Sequence, residues 1–121
     1  MSALVVLGLG LLGGAGAVGR FLLDRAVTRR AGGAFPYGTL AVNLGGALAL
    51  GVLAGAGLGG DAYRLWAVGL IGAFTTFSTW ALESHRLAEE GQARLGALNF
   101  GVSLVLGVLA ALLGRWIGGA L

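Results

Sequence analysis

The sequence predicts an all-α membrane protein with four transmembrane helices, the third of them broken. Three observations predict it. Four stretches are free of charge for long enough to cross a bilayer, which takes about 20 residues. The links between them are short and hold most of the charge. The chain also carries 25 glycines, a supply that suits membrane helices packed backbone against backbone.

Apolar residues make up 57% of the 121 residues and charged ones 11%, which leaves too little polar surface to face water on all sides. One domain, residues 1–121, is expected at this length. There is no cysteine, so disulfides and thiolate chemistry are excluded. The net charge of +3 comes from eight arginines with no lysine. They are scattered between apolar runs. That is the pattern of membrane orientation, not of a nucleic-acid surface.

The first span covers about residues 3–23, with Arg20 near its end. Ala15-Gly16-Ala17 resembles a signal-peptidase site, but no basic residue precedes the apolar run. The charged start of a leader is missing, and the segment reads as a first span. The second span covers about 37–60, the third 65–82 and the fourth 95–114. An even number of spans puts both termini on one side. Gly10 and Gly14 are four apart, as are Gly51 and Gly55, and Gly114 and Gly118. Such pairs read as helix-packing positions.

The third span is the informative one. Thr75, Thr76, Ser78 and Thr79 fall within five positions, just after Gly69 and Gly72. A lone Thr commonly bonds back to its own helix. A cluster of this density predicts a break between about Gly72 and Thr76, near the bilayer midplane. Irregular backbone is tolerated there only when buried in protein or lining a watery cavity. Carbonyls freed at a break can coordinate a cation, and half-helix N-termini favour anions.

Phe77 and Trp80 are three apart and share a helix face. Aromatic edges are positive and can meet a small anion, although such a pair is more often packing. Thr39 and Asn43 are four apart on the second span. Asn43 lies deep in an apolar run, where its amide needs partners. It can donate to an anion or tie helices together. Asn99 and Ser103 repeat the pattern on the fourth span. Arg20 can snorkel to the interface or mark an anion entry, and snorkelling is the commoner use. Glu83, His85 and Glu89 read as a solvated helix end. A single His with no second ligand makes no metal site. No nucleophile–base pair, phosphate loop or paired carboxylate can be assembled, so the chain is not expected to be an enzyme.

Three stretches carry a resemblance. They are Gly13-Gly14-Ala15-Gly16-Ala17-Val18-Gly19-Arg20, Pro36-Tyr37-Gly38-Thr39-Leu40-Ala41-Val42-Asn43-Leu44-Gly45-Gly46, and Gly72-Ala73-Phe74-Thr75-Thr76-Phe77-Ser78-Thr79. With them the chain resembles the Fluc/CrcB fluoride channels over nearly its whole length. The resemblance implies an antiparallel, dual-topology-type dimer in the inner (plasma) membrane, with two fluoride pores, each built from both subunits. It implies passive export of fluoride from the cytoplasm. It implies that the broken third helices cross at the dimer centre around a structural Na+ ion, held by the backbone carbonyls of Gly72 and Thr75 from each subunit. Asn43 would dip into the pore. Phe77 and Trp80 would form an aromatic box, and Thr39, Ser78, Thr79 and Ser103 a polar track. In three places the chain departs from the family pattern. Trp80 stands where Phe is usual, Asn99 where Tyr is frequent, and Gly107 where Ser is common. These fall on the aromatic box and the fourth span and leave the fold untouched.

Two rivals carry different expectations. A small multidrug-type dual-topology transporter needs a carboxylate inside the membrane to exchange protons for a cationic drug, and no Asp or Glu lies inside the four windows. A non-transporting membrane scaffold accounts for the glycines but not for the cluster at Thr75 to Thr79.

The arginines are unevenly placed. Arg25, Arg29, Arg30, Arg86 and Arg94 lie in the links after the first and third spans, with Arg20 at the border. Only Arg64 and Arg115 lie on the other face, with the N-terminal amine. The positive-inside rule puts the first and third links in the cytoplasm and both termini outside. A chain with one fixed orientation cannot supply both halves of an antiparallel dimer. The partner is therefore either a sister subunit of reversed topology, or an identical chain if the acids of the links soften the bias.

Overall fold

The computed structural model describes residues 1–121, and all its regular structure is helical. Helix α1 spans Ala3–Ala31 and α2 spans Tyr37–Gly55. The third unit is composite. It consists of α3 (Gly60–Tyr63), a π-helical run (Arg64–Ile71), α4 (Gly72–Phe74) and α5 (Phe77–Glu89). Helix α6 spans Ala93–Gly119. With Gly60–Glu89 taken as one bent unit, four helices are long and apolar enough to cross a membrane.

Helix α1 is capped by Ser2, whose hydroxyl accepts from the Val5 N–H at 3.2 Å. It continues past its charge-free window through Arg20, Asp24 and Arg25. Arg29 and Arg30 occupy its last turn, where cations meet the negative end of the helix dipole. Gly32 ends it with φ 61°, a conformation that costs glycine little. Helix α2 starts beside Pro36, which has no N–H to leave unsatisfied.

The main seam joins α2 to α6, which run in the same direction. A Cβ on Gly51 or Gly55 would collide with the carbonyl of Ala111 or Arg115. A Cβ on Gly114 or Gly118 would collide with the carbonyl of Leu48 or Val52. The two spaced glycine pairs thus face each other, and backbone meets backbone along about two turns of helix. Gly10 and Gly14 have the same spacing but find no other part of the chain within 4 Å. The expected packing through that pair is therefore absent within the subunit. Helix α1 instead packs on the composite unit through Gly16, set against the Leu70 carbonyl.

Only 17 of 121 residues are buried. Leucines and valines of α1 and α6 dominate the outward surface, which is the face that lipid would solvate.

Candidate functional site at the helix break

The break lies at Thr75 and Thr76. Thr75 is extended at φ −82°, ψ 161°, and Thr76 at φ −147°, ψ 121°. Two substitutions of hydrogen-bond partner hold it open. The Thr76 N–H would close a helical turn on the Gly72 carbonyl. It donates to Asn43 Oδ1 at 2.8 Å instead, while Asn43 Nδ2 donates to the Thr76 carbonyl at 2.9 Å. The Thr79 N–H would close a turn on Thr75. It donates to Thr76 Oγ1 at 3.2 Å, so Thr76 caps α5. The carbonyls of Gly72 and Thr75 both lose their helical partners in this way. Neutral carbonyl oxygens are hard ligands suited to an alkali cation. The two carbonyls thus fit the chemistry of such a cation, and a single chain offers one pair of them.

The break also opens the N-terminus of α5, which carries partial positive charge. Around it, three cavities collect most of the residues expected from the sequence. Arg20, Asp24, Thr39, Thr76 and Thr79 line one of about 220 Å³. Asn43, Gly72, Thr75, Phe77 and Trp80 line a groove of about 350 Å³. Asn43 and Trp80 reappear in a groove of about 300 Å³, now with Ser103 and Gly107. Asn43 and Trp80 therefore stand at the border of the last two. Ser78 lines none of the three. It is exposed, and its hydroxyl is 3.5 Å from Thr76 Oγ1.

Arg20 is half-buried on α1 and faces the first cavity. The Thr39 hydroxyl donates to Glu83 Oε1 at 2.6 Å, and Glu83 is itself half-buried. This corrects the expectation of a solvated helix end at that position: α2 closes over the first turns of α5. His85 and Glu89 do sit in solvent, 2.8 Å apart.

The two aromatic residues differ in exposure. Phe77 is 71% exposed, and its ring meets Trp80 edge-to-face at 5.3 Å and 75°. Trp80 is 7% exposed and stacks on Phe100 at 4.6 Å and 17°. Its indole N–H donates to the Asn99 carbonyl at 3.2 Å. Asn99 is fully buried and donates from Nδ2 to Ser84 Oγ at 2.8 Å. Ser84 Oγ in turn donates to the Trp80 carbonyl at 2.9 Å. The Ser103 hydroxyl reaches Asn99 Oδ1 only at 3.5 Å, so it is loosely held.

Sequence reasoning named Thr76 only as part of the cluster and gave Asp24 and Ser84 no role at the site. For Thr76 a signal was present, since a Thr just before a helical run is a capping residue. For Ser84 nothing local points across to α6.

The family model for CrcB-like protein, Camphor Resistance (CrcB), matches residues 7–115. The fluoride-specific ion channel FluC 2 of Mycobacterium tuberculosis (strain ATCC 25618 / H37Rv) is 52% identical over 117 residues, 97% of this chain and 93% of that one. FluC 1 of Symbiobacterium thermophilum, also a fluoride-specific ion channel, is 43% identical over 120 residues, 91% of this chain and 94% of that one. FluC 2 of Natronomonas pharaonis, with the same description, is 43% identical over the full length of both chains.

Proposed function

The chain belongs to the CrcB family, and on that premise we propose that it is a subunit of a fluoride-selective channel. It works as a multi-pass protein of the plasma membrane and lets fluoride leave the cytoplasm passively. The observation that carries this reading is the convergence of Asn43, Phe77 and Trp80 on a helix break. A small anion that sheds its water needs donors and positive edges. An amide, an opened helix N-terminus and aromatic rims supply them without a fixed charge. Binding of that strength admits the ion and lets it go.

Arg20, with Thr39 and Thr79, forms the entry cavity. Ser78 and Ser103 extend the polar track. The pores would belong to an antiparallel dimer, a reading drawn from the family resemblance and supported by the 71% exposure of Phe77 in the single chain. Gly72 and Thr75 carbonyls from both subunits would hold a structural Na+ ion at the dimer centre. Such an ion supplies positive charge where the two breaks meet. The arginine bias favours a sister subunit of reversed topology as the partner over an identical chain.

Fluoride efflux from proteoliposomes, measured against chloride and a drug cation, tests the reading. Selective fluoride release is expected. Drug-coupled transport would make the chain a multidrug-type transporter, and no flux from either the chain alone or its sister pair would make it a scaffold.

A further inference from the structure

A tryptophan beside a fluoride path poses a problem that phenylalanine does not. Its indole N–H is a full hydrogen-bond donor. Added to the Asn43 amide, a second donor aimed at a desolvated fluoride would hold the ion too tightly and slow its passage. In this chain the donor is spent elsewhere: it points at the Asn99 carbonyl of α6 at 3.2 Å.

The reach depends on how closely α5 and α6 approach. Gly96 sets that distance, since a Cβ there would sit 2.6 Å from the Ser84 carbonyl. The Asn99 amide then ties the helices at Ser84 Oγ, one turn beyond Trp80. Stacking on Phe100 fixes the plane of the indole from the other side.

We propose that the Asn99 carbonyl masks the Trp80 indole N–H, so that Trp80 meets a passing fluoride with C–H edges only. Gly96, Asn99 and Ser84 are the positioning residues of that mask. The inference rests on the fluoride-channel reading. It joins two departures from the family pattern into one device: the main-chain carbonyl at position 99 takes the Trp80 N–H, and the Asn99 side chain holds that carbonyl in reach through Ser84.

The test uses Asn99→Ala, which cuts the tie to Ser84, and Gly96→Ala, which pushes the helices apart and removes no polar group. Each is made alone and together with Trp80→Phe, in the complete channel in proteoliposomes. Each single variant is expected to slow fluoride flux by roughly tenfold. With Trp80→Phe the donor is gone, and both double variants should match the Trp80→Phe single variant. A loss that persists undiminished in the Trp80→Phe background, or no loss in either single variant, overturns the proposal. A second readout is independent of flux. Trp66 and Trp116 are exposed, so Trp66→Phe and Trp116→Phe leave Trp80 as the only indole. Its emission should ignore sodium fluoride in the parent and respond to it, but not to sodium chloride, once Asn99→Ala or Gly96→Ala is added. A parent that already responds, or variants that do not, overturns the mask. If the parent carries no fluoride, the channel reading fails, and the emission experiment still decides whether the N–H is masked.

Discussion

Asn43 and Thr76 exchange two hydrogen bonds, amide to carbonyl at 2.9 Å and N–H to amide oxygen at 2.8 Å. A side chain of α2 thus takes the place of the helical turn that the third unit lacks. Asn43→Ala leaves both Thr76 backbone groups unpaired. Two such bonds contribute about 2 kcal/mol together. A lower midpoint of thermal unfolding in detergent is expected, with loss of fluoride flux. An unchanged midpoint would mean that the break holds itself open without Asn43.

Phe77→Ile keeps apolar bulk on the first turn of α5 but removes the positive ring edge. The side chain is mostly exposed in the subunit, so folding should survive. Fluoride efflux should fall to the level of empty liposomes, while gel filtration shows the parent's elution volume. Parent-level efflux would remove Phe77 from the pore.

How much was legible in the sequence can be judged from these residues. The break was readable because irregular backbone needs local substitutes for its lost hydrogen bonds, and hydroxyls beside glycines are the cheapest ones. The partner of Asn43 was not readable, since Thr76 lies 33 positions away and only helix placement brings them together. Glu83 was misread for a related reason. Arg86, Glu89 and Glu90 follow it within two turns, but its neighbour in space is Thr39. Gly10–Gly14 and Gly51–Gly55 look alike in sequence because spacing defines a flat face and does not say what lies on it. The trio of Asn99, Ser84 and Trp80 left no local trace, for it joins two helices across a turn.

The carbonyls of Gly72 and Thr75 lose their helical partners at the break. Crystals of the dimer grown with sodium should show density between the paired carbonyls, and that density should vanish or change when sodium is withheld. A well-resolved centre without density in sodium would remove the ion from the account.

Gly51→Leu places a branched side chain where the Ala111 carbonyl already stands. Overpacking of a tight interface costs about 1–3 kcal/mol or more. The variant should express poorly and unfold early in detergent. Gly10→Leu serves as the comparison, because no atom of the chain lies within reach of its Cβ. Equal damage from Gly10→Leu would show that another subunit covers α1.

Terminal reporter fusions address the partner. The arginine bias puts the C-terminus outside the cytoplasm. A C-terminal reporter expressed without any sister should therefore give the outside signal alone, and the purified chain should carry little fluoride until a reversed sister is added. Equal signals from both sides, with flux from the chain alone, would establish the identical-chain dimer.

The glycine ladder between α2 and α6 reaches beyond adhesion. Its contacts recur every turn on both helices, so sliding one helix along the other by part of a turn drives a side chain into a carbonyl. The pair acts as a splint that resists shear as well as separation. Asn43 rides on one side of that splint, and Asn99 and Ser103 ride on the other. Their spacing is set about two to three turns away, by residues of the helix seam. The tolerance at the helix break is thus machined into a joint set apart from it.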